Sequence, residues 1–224
     1  MTQLLTMQGI TKYFFGVPVL KGVDFDLGHG EVHVLLGENG AGKSTLMKIL
    51  SGAYTLDAGT IALEGEPLDL AAWSPKVAED RGIVTVYQNF HLIPHLSVAE
   101  NLALDRFTHE RGLIRWREVY AQAAQALQTI DFAIDLRAKV KSLPVSQKQM
   151  LEIAIALSKN ARVLIMDEPT AALSRKEVAT LFKTLAGLKA RGIGIIYISH
   201  KLEEVKQIGD RITVLRDGVR TATL

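Results

Sequence analysis

The chain has 224 residues, 48% of them apolar, and a formal charge of +2 at pH 7. That length supports a sizeable core and one domain by default. The charge is too small, and Lys and Arg too scattered, to argue for nucleic acid, and no apolar run nears the ~18 residues of a membrane span.

There is no cysteine, which excludes a disulfide, a zinc knuckle and thiol chemistry and suits a reducing cytoplasm. The start, Met1-Thr2-Gln3-Leu4-Leu5, lacks the charged-then-apolar layout of a signal peptide. The opening third reads as β-rich: residues 4–8, 22–27 and 60–63 carry apolar or β-branched residues between Gly and Asp punctuation. Within it, the apolar run Val32-His33-Val34-Leu35-Leu36 leads into Gly37-Glu38-Asn39-Gly40-Ala41-Gly42-Lys43-Ser44-Thr45, and the helix-like run 46–50 follows. This fits the phosphate-binding loop G-x-x-x-x-G-K-[ST] at every fixed position. Glycines let successive backbone N–H groups curl toward one anion. The helix behind points its positive end at the same spot. Lys43 reaches β- and γ-phosphates, and the Ser44 hydroxyl suits Mg²⁺.

Residues 83–87 read as a further strand, ending at Gln88. An amide there can be both a Mg²⁺ ligand and a donor, although a surface glutamine at a strand end reads the same locally. Residues 97–160 read as helical. Ser97-Val98-Ala99-Glu100 is a capping box. Residues 116–130 are rich in Ala and Gln. Residues 147–158 place Met150, Ile153, Ala154 and Leu157 on one helical face.

The last third alternates strand and helix. Val163-Leu164-Ile165-Met166 is a continuous apolar run, as in a buried parallel strand. Asp167 and Glu168 follow it directly. One acid can hold the Mg²⁺ that bridges two phosphates, and its neighbour can polarise an attacking water. Ser174 and Glu177 form a second capping box, and Val178, Leu181, Phe182, Leu185 and Leu188 share a face behind it. Residues 193–198 form another buried strand, ending at Ser199-His200. A histidine there would lie beside the Asp–Glu pair and contact a phosphate oxygen or the water. Asp217-Gly218 reads as the turn of a closing hairpin between 212–215 and 219–223. Repeated β-α-β units predict an α/β fold with a parallel sheet flanked by helices.

Together these residues resemble the nucleotide-binding domain of ATP-binding cassette (ABC) transporters, over essentially the whole chain. The order carries the resemblance: the loop at 37–45, Gln88, a helical insert, Leu143-Pro144-Val145-Ser146-Gln147, the 163–170 segment, Ala172-Leu173-Ser174, and His200. It implies a P-loop NTPase core in a single cassette over 1–224. An N-terminal antiparallel β subdomain and the core would occupy about 1–88 and 161–224, and an inserted helical subdomain about 89–160. Phe14 would stack on adenine, with Tyr13 and Phe15 as competing registers. Gln88 would be the Q-loop glutamine, Glu168 the catalytic glutamate and His200 the switch histidine. Ser44, Gln88 and Asp167 would serve Mg²⁺. Ser146 and Gln147 would face the ATP of a partner cassette. That segment departs from the usual Leu-Ser-Gly-Gly-Gln. Pro144 brings neither hydroxyl nor N–H, which implies incomplete support for hydrolysis at the partner's site.

Residues 149–154, 96–101 and 197–204 are similar to bacterial monosaccharide importers of the ribose, xylose and galactose types. In that group one chain holds two cassettes in tandem, and this sequence resembles the N-terminal one. The implied partners are a second cassette packed head to tail, transmembrane permease subunits and, indirectly, a periplasmic sugar-binding protein. The implied place is the cytoplasmic face of the inner membrane. Phe90, Leu92 and Ile93 are candidate permease contacts or core residues. Three other readings stay open. They are a small-molecule kinase, an ABC-type ATPase without a transport role, and a regulatory half that seldom hydrolyses.

Overall fold

A computed structural model describes residues 3–86, 90–107 and 114–224. The strands are β1 (Gln3–Phe14), β2 (Val17–Gly28), β3 (Val32–Leu36), β4 (Ala58–Leu63), β5 (Glu66–Pro67), β6 (Ile83–Val86), β7 (Val163–Asp167), β8 (Gly194–Ile198), β9 (Arg211–Arg216) and β10 (Val219–Thr223). The helices are α1 (Lys43–Leu50), α2 (Pro75–Asp80), α3 (Val98–Phe107), α4 (Trp116–Thr129), α5 (Val145–Ser158), α6 (Arg175–Ala190) and α7 (Leu202–Ile208).

Two sheets organise the chain. A 4-stranded antiparallel sheet runs β2-β1-β4-β5, and a 6-stranded sheet runs β10-β9-β3-β8-β7-β6. In the larger sheet β3, β6, β7, β8 and β9 run parallel, and β10 closes one edge as an antiparallel hairpin. The sequence order 3-6-7-8-9 becomes the spatial order 9-3-8-7-6, so β3 sits between strands far away in sequence.

Both faces of this sheet are covered, which explains why its strands are continuous apolar runs rather than alternating ones. Along β7, Val163 and Ile165 pack into one core with β1, β2 and α1, whereas Leu164 and Met166 pack into another with α5 and α6. Ile196 and Ile198 of β8 repeat the first set, Ile195 and Tyr197 the second.

Helix starts follow the expected capping chemistry. The Ser97 backbone N–H donates to Glu100 at 2.6 Å, and the Glu100 N–H to the Ser97 hydroxyl at 3.2 Å. Ser174 and Glu177 repeat the arrangement ahead of α6. On α6, Leu181, Phe182, Leu185 and Leu188 are buried and Val178 packs against them.

The structure departs from the sequence reading in places. Residues 131–144 are not helical apart from a 3-10 turn at Val140–Ser142. Asp131 has φ of 51°, which ends α4 in the left-handed region. Phe132, Ile134 and Leu136 then pack against the core from non-helical chain. Helix α5 begins at Val145, with Pro144 as its N-cap. The predicted strand at 83–87 is seen as β6 over Ile83–Val86, and Tyr87 lies outside the described residues. Helices α2 and α7 and the short β5 had no expectation.

Candidate active site

The carboxyl ends of β3, β8 and β7 lie side by side in the larger sheet, the rim where ligands bind in such folds. Each strand delivers one piece of chemistry there. The loop after β3 carries residues 37–45, the end of β7 carries Asp167 and Glu168, and the end of β8 carries His200. Asp167 pairs in register with Ile198, so the acids and the histidine leave adjacent strands at one level. Asn39 to Thr45, Asp167, Glu168, His200 and Val19 of β2 line one cavity of 710 Å³.

The loop is shaped by its glycines. Gly42 is the N-cap of α1 with φ of 102°, in the left-handed region. A Cβ built there would lie 2.7 Å from Leu20 Cδ2. Helix α1 therefore starts at Lys43, three residues before the predicted run, and the first-turn amides of Lys43, Ser44 and Thr45 have no intrahelical partner. Together with the helix dipole they make the cavity a site for an anion.

Lys43 is buried, and its Nζ donates to the backbone carbonyls of Gly37 at 2.7 Å and Glu38 at 2.9 Å. Burial lowers its ammonium pKa, opposed by the charges of Glu168 and Asp167. Burial raises the Asp167 carboxyl, and the Glu168 charge raises it further against Lys43 and Lys48. The pocket thus holds two carboxylates and a partly desolvated ammonium, a charge distribution that a polyphosphate with a divalent cation complements.

Glu168 has φ of 45°, strained for a side-chain-bearing residue. Its N–H donates to Ile198 O at 3.1 Å, tying the turn to β8. His200 Nδ1 lies 2.8 Å from Glu168 Oε1. A carboxylate only accepts, so Nδ1 carries the proton and Nε2 is left for a ligand.

The remaining predicted residues lie elsewhere. Phe14 ends β1 and meets Tyr54 edge-on at a centroid distance of 5.4 Å, with Lys12 Nζ 5.5 Å from its ring centre. Phe15 is wholly exposed and Tyr13 half exposed. Ser146 and Gln147 occupy the first turn of α5, and neither lines the cavity. The Glu177 carboxyl is held down at about 2 by the influence of the nearby Ser146 hydroxyl and by hydrogen bonds from the Ser174 hydroxyl and N–H. Gln88 lies outside the described residues. Sequence reading missed Tyr54 and Val19, because each acts by a tertiary contact with no local pattern.

The loop after β3, the acids at the end of β7 and the parallel sheet define a P-loop NTPase fold. The ABC transporter family model matches residues 20–171, and the chain belongs to that family. It is 54% identical to the ribose import ATP-binding protein RbsA 1 of Rubrobacter xylanophilus, over 97% of this chain and 43% of that protein. It is 48% identical to a putative ribose/galactose/methyl galactoside import ATP-binding protein of Burkholderia cenocepacia, over 99% of this chain and 43% of the relative. The chain thus spans about two fifths of the length of these relatives. Among solved structures, a nucleotide-free ATP-binding cassette from an ABC transporter superposes with a TM-score of 0.88 at 26% identity, covering 99% of this chain and 90% of that one. A dimeric bacterial ABC transporter cassette gives a TM-score of 0.82 at 26% identity, covering 98% and 97%.

Proposed function

We propose that this chain is an ATP-binding cassette that binds and hydrolyses ATP and so powers sugar import as part of an ABC transporter. The observation that carries the reading is the convergence of the phosphate loop, Asp167, Glu168 and His200 on one cavity. Support for sugar comes from relatives named for ribose import at about half identity.

Mg²⁺ fits the donor set. Ser44 and Asp167 offer hard oxygen ligands on one cavity wall, and among the described residues no group of three or more His, Asp or Glu gathers to hold an ion alone. A cation that relies on one or two protein oxygens plus substrate phosphates and water suits that scarcity. When bound, the ion supplies charge neutralisation on the β- and γ-phosphates.

The chain's own residues then act as follows. Lys43 leaves the carbonyls of Gly37 and Glu38 and donates to phosphate oxygens. The amides from Gly40 to Thr45 cradle the phosphate chain. Glu168 keeps one oxygen on His200 and uses the other to orient and polarise the attacking water. His200 holds the developing charge through Nε2. Phe14, braced by Tyr54, offers a platform for adenine, and Gln88 a further contact to metal and water.

The second cassette packs head to tail, in the same full-length chain, and Ser146 and Gln147 address its nucleotide. The core and β subdomain take about 1–88 and 161–224, and the helical insert about 89–160 faces the permease subunits. A periplasmic binding protein sets sugar choice, and the cassette sits peripherally on the cytoplasmic face of the membrane. Among the described residues no helix is long and apolar enough to cross a membrane. One observation favours a second reading, in which the composite site works weakly. Pro144 caps α5 with no side-chain hydrogen bond, and Val145 beside it is exposed.

The test uses the full-length protein assembled with its membrane partners. Glu168→Gln is expected to bind ATP with unchanged affinity and to lose at least about a hundredfold in phosphate release. Normal release by that variant would remove Glu168 from the mechanism. ATP consumption that needs a small-molecule acceptor would replace the reading with a kinase.

A further inference from the structure

Glu204 lies on α7 and is not among the residues lining the nucleotide cavity. Its carboxylate is nonetheless the hub of a buried network. The Thr170 hydroxyl lies 2.8 Å from both carboxylate oxygens, and the Tyr197 hydroxyl donates to Oε2 at 2.8 Å. Ser199 Oγ lies 3.4 Å from Oε2, and Lys201 Nζ 3.0 Å from Oε1. Glu204, Thr170, Ser199 and Tyr197 are each no more than 8% exposed.

The partners are arranged informatively. Thr170 stands two residues after Glu168 on the turn leaving β7. Ser199 and Lys201 flank His200 on the turn leaving β8. Lys201 also donates from Nζ to the Thr170 carbonyl at 3.4 Å and from its N–H to Ser199 Oγ at 3.1 Å. One carboxylate therefore clamps both turns that carry the Glu168–His200 pair. Glu168 occupies a strained backbone region, and such strain persists only where the surroundings over-determine it. Two backbone bonds, from Glu168 N–H to Ile198 O and from Ala171 N–H to Glu168 O, hold the turn locally. The Thr170–Glu204 contact fixes it from the far side.

We propose that Glu204 is a positioning residue for the reaction, holding the Glu168 and His200 turns at the separation their hydrogen bond and the attacking water require. This rests on the proposed ATPase reading. The carboxylate is suited to the task. Burial alone would raise its pKa, but hydrogen bonds from Thr170, Lys201 and Tyr197 outweigh that and keep it below its ordinary range. It stays ionised, an acceptor for every donor around it. Small displacements of reacting groups are expensive in rate, whereas the phosphate loop and α1 are untouched by this network.

The experiment is steady-state ATP turnover by the full-length protein in its native assembly, for wild type, Glu204→Ala, Glu204→Gln, Thr170→Val and Glu168→Gln. We expect Glu204→Ala to lower kcat by roughly ten- to a hundredfold with KM within about twofold. Glu204→Gln, which keeps one acceptor oxygen and the shape, recovers most of that loss, and Thr170→Val falls between. Glu204→Ala in a Glu168→Gln background is expected to add less than about twofold. Wild-type kcat in Glu204→Ala and Thr170→Val, beside an inactive Glu168→Gln, would overturn the positioning role and leave the ATPase reading standing. Full multiplication of the two losses would overturn it as well, because it would make Glu204 independent of the pair. Should Glu204→Ala fail to fold, wild-type kcat in Thr170→Val, or a Glu204→Gln that loses as much as Glu168→Gln, overturns it equally. Undiminished turnover by Glu168→Gln would instead end the ATPase reading itself, and this role with it.

Discussion

The rim of the large sheet and the first turn of α5 both carry residues expected to meet a nucleotide, yet they are built differently. At the rim, three adjacent parallel strands present a loop, an acid pair and a histidine to a single cavity. Backbone pairing fixes their spacing, so one chain supplies the arrangement complete. At α5, Pro144 caps the helix without a side-chain bond, and Val145 is exposed. The rim is held by backbone pairing, whereas the α5 face brings no comparable set of groups to one cavity.

The largest expected effect tests the rim. Lys43→Ala removes a buried ammonium that donates two hydrogen bonds. Charge-assisted contacts of this kind contribute about 1.5–3 kcal/mol. ATP affinity measured by calorimetry should fall about ten- to a hundredfold, because the ammonium is lost to the phosphate oxygens as well as to the two carbonyls. Unchanged affinity would break the contrast at its stronger end.

Next comes the helical layer behind the α5 face. Glu152 is 8% exposed, and its Oε1 accepts from the His91 N–H at 2.5 Å. Burial lifts its carboxyl to about 7, against that hydrogen bond. The folded state therefore binds more protons than the unfolded one between about 4.5 and 7, and stability falls as pH rises through that window. Above it, the buried carboxylate costs on the order of 3 kcal/mol. Glu152→Gln should raise unfolding stability in urea at pH 8 and flatten the slope between pH 5 and 7. An unaltered slope would assign the pH dependence elsewhere.

A smaller effect belongs to the cap of α3. Ser97→Ala should cost about 1 kcal/mol of unfolding free energy, because the Glu100 N–H loses its acceptor, with nucleotide affinity unchanged. A fall in affinity there would blur the two regions. The smallest effect is at α5 itself. Substituting Ser, Gly and Gly at 144–146 should raise turnover at the partner's site about threefold, read by phosphate release in the assembled protein. No gain would mean that the departure in spelling is without consequence.

The same contrast governs what the sequence discloses. Strands β7 and β8 are legible because both faces are buried and every residue in the run is apolar. The loop at 37–45 is legible because its glycines and Lys43 answer a local demand of the backbone. The turn at Asp131 was hidden, since an aspartate in the left-handed region looks like any helix-surface acid. The strained turn at Glu168 and the clamp from Glu204 were hidden too. Thr170, Tyr197 and Glu204 come from three elements, and no periodicity announces that their polar atoms meet.

The most direct test is a structure of the full-length protein with a non-hydrolysable ATP analogue and magnesium. The account predicts phosphates against the amides of residues 40–45, the metal beside Ser44 and Asp167, and Lys43 Nζ moved from the Gly37 and Glu38 carbonyls onto phosphate oxygens. An analogue bound elsewhere, or Lys43 still on those two carbonyls beneath a bound triphosphate, would contradict it.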